Sequence, residues 1–402
     1  MKILFVTGDF LPSKNGGIEN YVFWLAQILK EQNFLIEVAA LNVREECDYF
    51  YESIHVHYLN NNISIFEELL KNGAYDICHF HEYSGKNGIN VSWLTFAKQI
   101  CGKVFFTFHL PYLTCYKNDF RYKGIEDCNN FTDVARCIEC VLTDKAEKNI
   151  GLAMAPYASK ILALVPSVKN NLKNKILLRD HNLHELIANC DKIFVIAGWF
   201  KKILFENGFT DEKIYKIPNK PKLGISPESK STNETIKKKI LFIGRIEEQK
   251  GFHLLCNAMN EIEEDNLELE VYGNKVDENY FEDCKRIYSF NYMGTLPREV
   301  LLERIKNYDF LVLPSVCPEM YPLVVVDAIH RELPVIASAS KGNRDLVKDN
   351  ENGFLFEYDN AVELAKTIDK AYRLKAEGWT MQLDFTENPE HDLEEIVSYY
   401  KS

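Results

Sequence analysis

The chain has 402 residues, 46% of them apolar and 26% charged, with a net charge of −12. This is the composition of a soluble globular protein of two or three domains, and it excludes a disordered chain, a collagen-like repeat and a long coiled coil. Residues 1–220 carry 25 basic and 25 acidic side chains, so the acidic excess lies wholly in the remainder and argues against a general nucleic-acid binder.

Met1–Val6 opens like a leader peptide, but Asp9 interrupts it and no small-residue cleavage site follows, so Lys2–Val6 reads as a buried first strand. Leu35–Ala40, Ile77–Phe80, Val104–Phe108 and Lys192–Ile196 are further short apolar runs, as expected of parallel strands covered on both faces. Between the first two, Ile18–Leu29 places Val22, Leu25, Ile28 and Leu29 at helical spacing. The pattern breaks at Ile217-Pro218-Asn219-Lys220-Pro221, and Pro221–Lys239 reads as a linker. Alternation resumes with strands at Lys239–Ile243, Leu267–Tyr272, Phe310–Leu313 and Pro334–Ala337, and a closing helix is expected over Asp392–Lys401. The expectation is a doubly wound α/β domain over 1–219, completed by a C-terminal helix within 380–402, and a second over 220–379. Two such domains would face each other across a cleft, with ligands at the carboxyl ends of the strands. No apolar run approaches the ~20 residues that span a bilayer.

Three segments carry candidate chemistry. Gly16-Gly17, in the turn after the first strand, lets backbone approach an anion at a helix start, although it does not fit the dinucleotide pattern G-x-G-x-x-G. In Gly244-Arg245-Ile246-Glu247-Glu248-Gln249-Lys250-Gly251, two cations flank a loop at a strand end. Arg245 can grip a diphosphate as a fork and Lys250 as a point charge; a pair of solvated surface cations is the alternative. In Pro314-Ser315-Val316-Cys317-Pro318-Glu319-Met320-Tyr321-Pro322-Leu323, continuing to Asp327, a helix starting near Pro322 would put Glu319 and Asp327 on one side of its start. They could receive sugar hydroxyls while the exposed amides at Met320–Leu323, the N–H groups of Met320, Tyr321 and Leu323 around Pro322, face an anion; a capping role is the plainer reading.

Taken together, G-R-x-x-x-x-K-G, the strand ending in Pro-Ser and P-E-x-x-P-x-x-x-x-D-A resemble the family-4 retaining glycosyltransferases of the GT-B fold. The glycine turn, Ile217-Pro218-Asn219, Pro334-Val335-Ile336-Ala337 and Asn352-Gly353-Phe354 fit the same family. The resemblance covers nearly the whole chain and is strongest from Lys239 to Phe356. It implies that Arg245 and Lys250 neutralise a nucleotide diphosphate, that Glu319 binds donor-sugar hydroxyls, and that Gly16 and Gly17 contact the donor. Asp327 stands where the family usually has a ribose-binding Glu, one methylene longer. Tyr292-Met293-Gly294 resembles the nucleobase-side turn, and His109, ending a strand, the histidine near the reaction centre. His79 and His81 would share one face at a neighbouring strand end. The implied reaction moves a sugar, with retention, from a nucleotide diphosphate sugar, UDP by family frequency, to a glycan, lipid-linked or small-molecule acceptor in cell-surface polysaccharide or glycoconjugate synthesis. No catalytic cofactor is implied, and no D-x-D sequence occurs to hold a metal-bound diphosphate. Two alternatives stay open: a nucleotide-sugar epimerase of the same fold, and a catalytically silent sugar-nucleotide-binding protein.

Eleven cysteines without an export signal point to reduced thiols or metal ligands, with the cytoplasm as default location and its inner membrane face as a peripheral address. Cys115, Cys128, Cys137 and Cys140, spaced C-x12-C-x8-C-x2-C after His109, suit a structural zinc or an iron–sulfur cluster, or are free thiols.

Overall fold

The computed structural model describes residues 1–81, 90–111, 113–128, 131–150, 154–217, 238–262, 266–382 and 389–402. Pro218-Asn219 and all but the last two residues of the expected linker lie outside them. The chain divides into two compact units, Met1–Leu223 with Pro389–Ser402, and Gly224–Asn388.

The first unit is built on strands β1 (Lys2–Thr7), β2 (Leu35–Ala40), β3 (Tyr49–Tyr51), β4 (Ile54–Tyr58), β5 (Ile77–His81) and β6 (Lys103–Phe108). A small hairpin follows, β7 (Arg121–Tyr122) with β8 (Glu126–Asp127), and then β9 (Lys192–Val195) and β10 (Ile214–Lys216). The main sheet runs β10-β9-β6-β5-β1-β2-β4-β3, parallel except for the edge hairpin β3–β4. Helices α1 (Gly17–Glu31), α2 (Ile63–Gly73) and α3 (Val91–Ile100) are crossovers; α1 buries Tyr21, Val22, Leu25, Ala26, Ile28 and Leu29 at helical spacing. Asn62 and Asn90 cap α2 and α3, each accepting the amide two residues on.

Between β8 and β9 come three helices, α4 (Val134–Ile150), α5 (Ala155–Leu164) and α6 (Pro166–Asn189), which the sequence reading did not resolve. They share a small core of their own from Ile138, Val141, Leu142, Leu172 and Ile176. Helix α7 (Gly198–Glu206) then leads to β10.

The second unit has β11 (Lys238–Ile243), β12 (Leu267–Tyr272), β13 (Asn291–Gly294), β14 (Phe310–Leu313), β15 (Val335–Ser338) and β16 (Gly353–Phe356). They form one parallel sheet ordered β13-β12-β11-β14-β15-β16. Around it lie α8 (Phe252–Met259), α9 (Glu278–Ile287), α10 (Arg298–Ile305), α11 (Leu323–His330), α12 (Lys341–Leu346) and α13 (Ala361–Ala376). Phe242, Phe252, Val271, Phe281, Phe310 and Ile368 are among the side chains filling the core.

The last helix, α14 (Pro389–Lys401), belongs to the first unit, so that unit resumes at Pro389 rather than at 380. Residues 379–382 stay with the second unit: the Trp379 ring packs 4.9 Å from Phe354, and the Gln382 amide donates to the Glu351 carbonyl at 2.9 Å. Tyr400 of α14 is fully buried, its hydroxyl 2.7 Å from His79 Nδ1.

Each sheet reverses its winding direction once. In the first unit the chain leaves β1 for β2 and β4 on one side, then crosses to β5 and β6 on the other. In the second it leaves β11 for β12 and β13, then crosses to β14, β15 and β16. Diverging connections leave a crevice beyond the carboxyl ends of the strands at such a point, where ligands bind in open α/β sheets.

Candidate functional site

In the second unit the reversal lies between β11 and β14, and the loops that leave these two strands carry the predicted diphosphate motif. Gly244 and Arg245 follow β11, Pro314 and Ser315 follow β14, and the loops are tied by Val316 N–H donating to the Gln249 carbonyl at 3.0 Å. The approach is close enough to dictate residue type. Gly251 has φ +66°, and a Cβ on it would stand 1.9 Å from the Pro314 carbonyl oxygen. A Cβ on Gly342 would stand 1.7 Å from the carbonyl oxygen of Glu319.

Lys250 Nζ donates to Glu319 Oε1 at 2.6 Å, and Ser315 Oγ donates to the same oxygen at 2.5 Å. Burial alone would lower the Lys250 ammonium, but the Glu319 carboxylate reverses this and holds it above the ordinary lysine range. Burial would raise Glu319; Lys250 and Ser315 instead hold it below the ordinary carboxylate range. Both groups are therefore charged near neutrality. Arg245 pairs with Glu247 at 2.8 Å, is more than half exposed, and acts electrostatically on both Lys250 and Glu319. A charged trio of this kind can hold an anion, with its carboxylate left to accept hydroxyls.

Helix α11 begins at Leu323 after Pro322 in extended backbone, close to the predicted start. Met320 is buried, and the Pro322 carbonyl accepts from Val325 N–H at 2.9 Å. The expectation of Glu319 and Asp327 as a joint pair is not what the side chains make. Asp327 is buried and gripped by Arg298, which donates from Nη2 to Oδ1 at 2.5 Å and from Nε to Oδ2 at 3.1 Å. Burial pushes the Asp327 carboxyl up, and Arg298 only partly offsets it. Tyr292 and Met293 belong to strand β13 and not to a turn after it: Tyr292 and Gly294 pair with β12, and Met293, at the register shift between them, is 40% exposed. Gly294 ends the strand with φ +74°.

In the first unit the reversal lies between β1 and β5, and here the predicted histidines meet. His81 Nδ1 lies 3.2 Å from His109 Nε2, and the Tyr21 ring of α1 packs 4.9 Å from the His109 ring. Burial pushes His109 down to about 3, and it lowers His81 and His79 as well, so all three imidazoles are neutral. His79 is a core residue: Nε2 lies 2.8 Å from Thr107 Oγ1, and Nδ1 meets Tyr400. The expected shared face of His79 and His81 is present, with ring centroids 4.0 Å apart.

Sequence reasoning missed two neighbours of these histidines. Thr7 Oγ1, at the end of β1, and the Tyr21 hydroxyl are buried with no hydrogen-bond partner among the described residues, as is His81 Nε2. An unpaired buried polar atom costs on the order of 1–3 kcal/mol, and these three group around His81, with Thr7 its register partner and the Tyr21 ring 6.2 Å from its own, as in a place that can take a polar ligand. Nothing in a lone Thr or Tyr signals this; only the strand order brings them to His81. Gly16 is the extended residue preceding α1, and a Cβ there would press on the Glu19 carboxylate, whereas one on Gly17 would meet nothing within 4 Å.

Cys115, Cys128, Cys137 and Cys140 form no disulfide and are partly buried, around the β7–β8 hairpin and the start of α4. Lys123 N–H points at Cys140 Sγ at 3.1 Å, and Cys137 lies within electrostatic reach of the other three. Their sulfurs are spread too widely for any three to lie within 4.8 Å of one another. Among the described residues that spacing is met by Glu37, His55 and His57, on the adjacent strands β2 and β4. In that cluster His57 already bridges Glu37 at 3.0 Å and Asp48 at 3.1 Å, and Lys2 pairs with Glu37 at 2.9 Å.

Residues 226–390 match the family model of glycosyl transferases group 1. A protein of Methanocaldococcus jannaschii, named as an uncharacterized glycosyltransferase, is 24% identical over 99% of this chain and 95% of its own. Sucrose-phosphate synthase from Thermosynechococcus elongatus superposes with a TM-score of 0.64 at 16% identity, covering 100% of this chain and 98% of that one. Anabaena HepE, solved in complex with UDP, gives 0.62 at 15% identity, covering 99% and 95%. The two solved structures share the fold, and the sequence matches join it to an activity: the chain is a GT-B glycosyltransferase whose residues 226–390 carry the group 1 glycosyl transferase match.

Proposed function

We propose that the protein is a family-4 retaining glycosyltransferase that takes a sugar from a UDP-sugar. The observation that carries this reading is the Arg245–Lys250–Glu319 trio at the winding reversal of the second unit. HepE, of the same fold, is solved with UDP and with UDP-glucose, which supports a uridine donor here.

Breaking the anomeric C–O bond leaves negative charge on the diphosphate. Arg245 and Lys250 stabilise that charge as it develops, and one well-aimed donor of this kind is worth about 3–4 kcal/mol. An arriving diphosphate competes with Glu319 for the Lys250 ammonium, and the carboxylate so released accepts the sugar hydroxyls. His109, held neutral and meeting His81 through Nε2, stands at the strand end where the transferred sugar is placed. The acceptor attacks from the face the leaving group departs, and the phosphate takes its proton. The acceptor is a glycan, a lipid-linked intermediate or a glycosylated small molecule, and synthesis of a cell-surface polysaccharide or glycoconjugate is the setting proposed.

A thermal-shift series with UDP-, GDP- and ADP-sugars tests the donor, since a ligand of the folded state raises the melting point. UDP-sugars should raise it for the parent and not for Arg245→Ala. A response confined to another base overturns the uridine assignment. NMR of the sugar first released when water replaces the acceptor tests retention: an inverted anomer rejects it, and a new epimeric nucleotide sugar would make the protein an epimerase.

A further inference from the structure

On β4 the run His55-Val56-His57 puts two imidazoles on one face of the sheet, since side chains alternate along a strand, while Ile54 and Val56 are buried on the other. Beside them on β2 stands Glu37, the register partner of His55. One ring nitrogen from each histidine and one Glu37 oxygen all lie within 4.8 Å of one another. Two atoms that each ligate one ion at about 2.0–2.2 Å stand roughly 3.0–3.5 Å apart. His57 Nε2 and Glu37 Oε2 are 3.0 Å apart.

The pairing around His57 calls for a positive charge. Its Nδ1 lies 3.1 Å from Asp48 Oδ2, so the ring stands between two carboxylates. A neutral imidazole has one N–H and can serve only one of them. Either a second proton or a metal ion therefore belongs between Nε2 and Glu37. His55 favours the metal. Neither of its ring nitrogens makes a hydrogen bond among the described residues, and Nε2 is 3.8 Å from Asp48. Burial and the neighbouring His57 hold it below the ordinary histidine range, so it presents a lone pair. A proton would serve His57 alone, whereas an ion uses both rings.

The surrounding bonds are those a metal site needs. Ligating histidines commonly pass their other N–H to a carboxylate, and ligating carboxylates are hydrogen-bonded in turn. Asp48 does the first for His57. The Tyr75 hydroxyl, donating to Glu37 Oε2, and Lys2, 2.9 Å from Oε1, do the second. Burial would raise Glu37, but these bonds and His57 hold it down at about 2. Lys2 opposes a dication, yet Glu37 and Asp48 together leave one negative charge in excess. Phe50 of β3 stacks on the His55 ring at 4.7 Å and sets its plane. All three ligands are half-buried, which gives an ion a way in. Imidazoles with a carboxylate suit borderline transition metals rather than magnesium or calcium.

We infer that Glu37, His55 and His57 bind a divalent transition-metal ion of the zinc class, which ties the edge hairpin β3–β4 to β2. The inference stands apart from the donor assignment, which concerns the other unit.

Calorimetric titration of the chelator-stripped full chain with Zn²⁺ tests it. The parent should show a binding event that His55→Gln lacks and that Cys137→Ser/Cys140→Ser keeps. Asp48→Asn, which disturbs the hold on His57, should weaken that event about 10-fold or more. Zn²⁺ should raise the melting point of the parent and not that of His55→Gln. Without metal these two should melt together, because His55 has no hydrogen bond to lose, and both should keep their response to nucleotide sugars. Absence of zinc binding by the parent overturns the proposal and leaves a proton-linked ion network. So does equal binding by parent and His55→Gln, or a binding event lost only in the cysteine variant.

Discussion

At the scale of residues the protein keeps its charges paired and its histidines uncharged. His79, His81 and His109 are neutral because burial penalises the imidazolium, so folding must exclude protons that the unfolded chain takes up below about pH 6.5. The sign is fixed: a histidine lowered by folding costs stability as pH falls, by up to about 1.4 kcal/mol per pH unit for each group. Urea unfolding at pH 7.0 and 5.5 should show this loss, and His81→Gln should shrink it; an unchanged midpoint would show that the imidazoles protonate without opening the fold. Glu319, lowered by Lys250, has the same sign in a more acidic range: its contribution is present above the ordinary carboxylate range and fades in stronger acid. Glu319→Ala strands the Lys250 ammonium in a largely covered place and should cost about 1–3 kcal/mol besides abolishing sugar transfer, both measurable on one preparation. The Lys250–Glu319 link was legible as two motif positions but not as an ion pair. Asp327 and Arg298 were less legible still, because their contact joins two helices 29 positions apart and no local pattern reports it.

Among elements, legibility followed burial. Strands covered on both faces, such as Lys2–Thr7 and Phe310–Leu313, are continuous apolar runs and were placed within a residue. The edge hairpin Tyr49–Tyr51 and Ile54–Tyr58 escaped, since His55 and His57 sit on its half-open face and interrupt the run. Helices α4–α6 escaped for a related reason: polar and basic residues outnumber the few apolar ones they bury. Four cysteines could be counted from the sequence, but the spacing of their sulfurs is set by how the hairpin meets α4. Loop contacts give a sharper prediction. Gly342→Ala would drive a methyl group into the Glu319 carbonyl, so it should lower the melting point and erase the response to nucleotide sugar together. Gly251→Ala adds backbone strain of on the order of 1–3 kcal/mol to a similar collision. Gly17→Ala, with open space around it, should leave the melting point nearly unchanged; a large loss there would overturn the contrast with Gly342.

Across the whole molecule, two sheets of the same winding logic carry different chemistry at their reversals, a charged trio in one unit and neutral imidazoles with unpaired hydroxyls in the other. The motifs between Gly244 and Asp327 could be read because each is one short contiguous stretch following a strand. The cluster of Thr7, Tyr21, His81 and His109 comes from three strands and a helix, so half of it had no signature. Tyr400→Phe removes the hydroxyl that meets His79 and should cost about 1–3 kcal/mol in the first unit alone, because it leaves a buried ring nitrogen unpaired. Calorimetry that resolves the two units should then show one transition lowered and the other fixed; a shift of both would mean they unfold as one.

The tyrosine that completes the floor of β5 and β6 is encoded after every residue of the second unit. During synthesis the second unit, uninterrupted in sequence, is free to fold while the first still lacks α14. The nascent first sheet therefore waits, with part of its apolar surface open to chaperones, until the ribosome has delivered the helix that covers it.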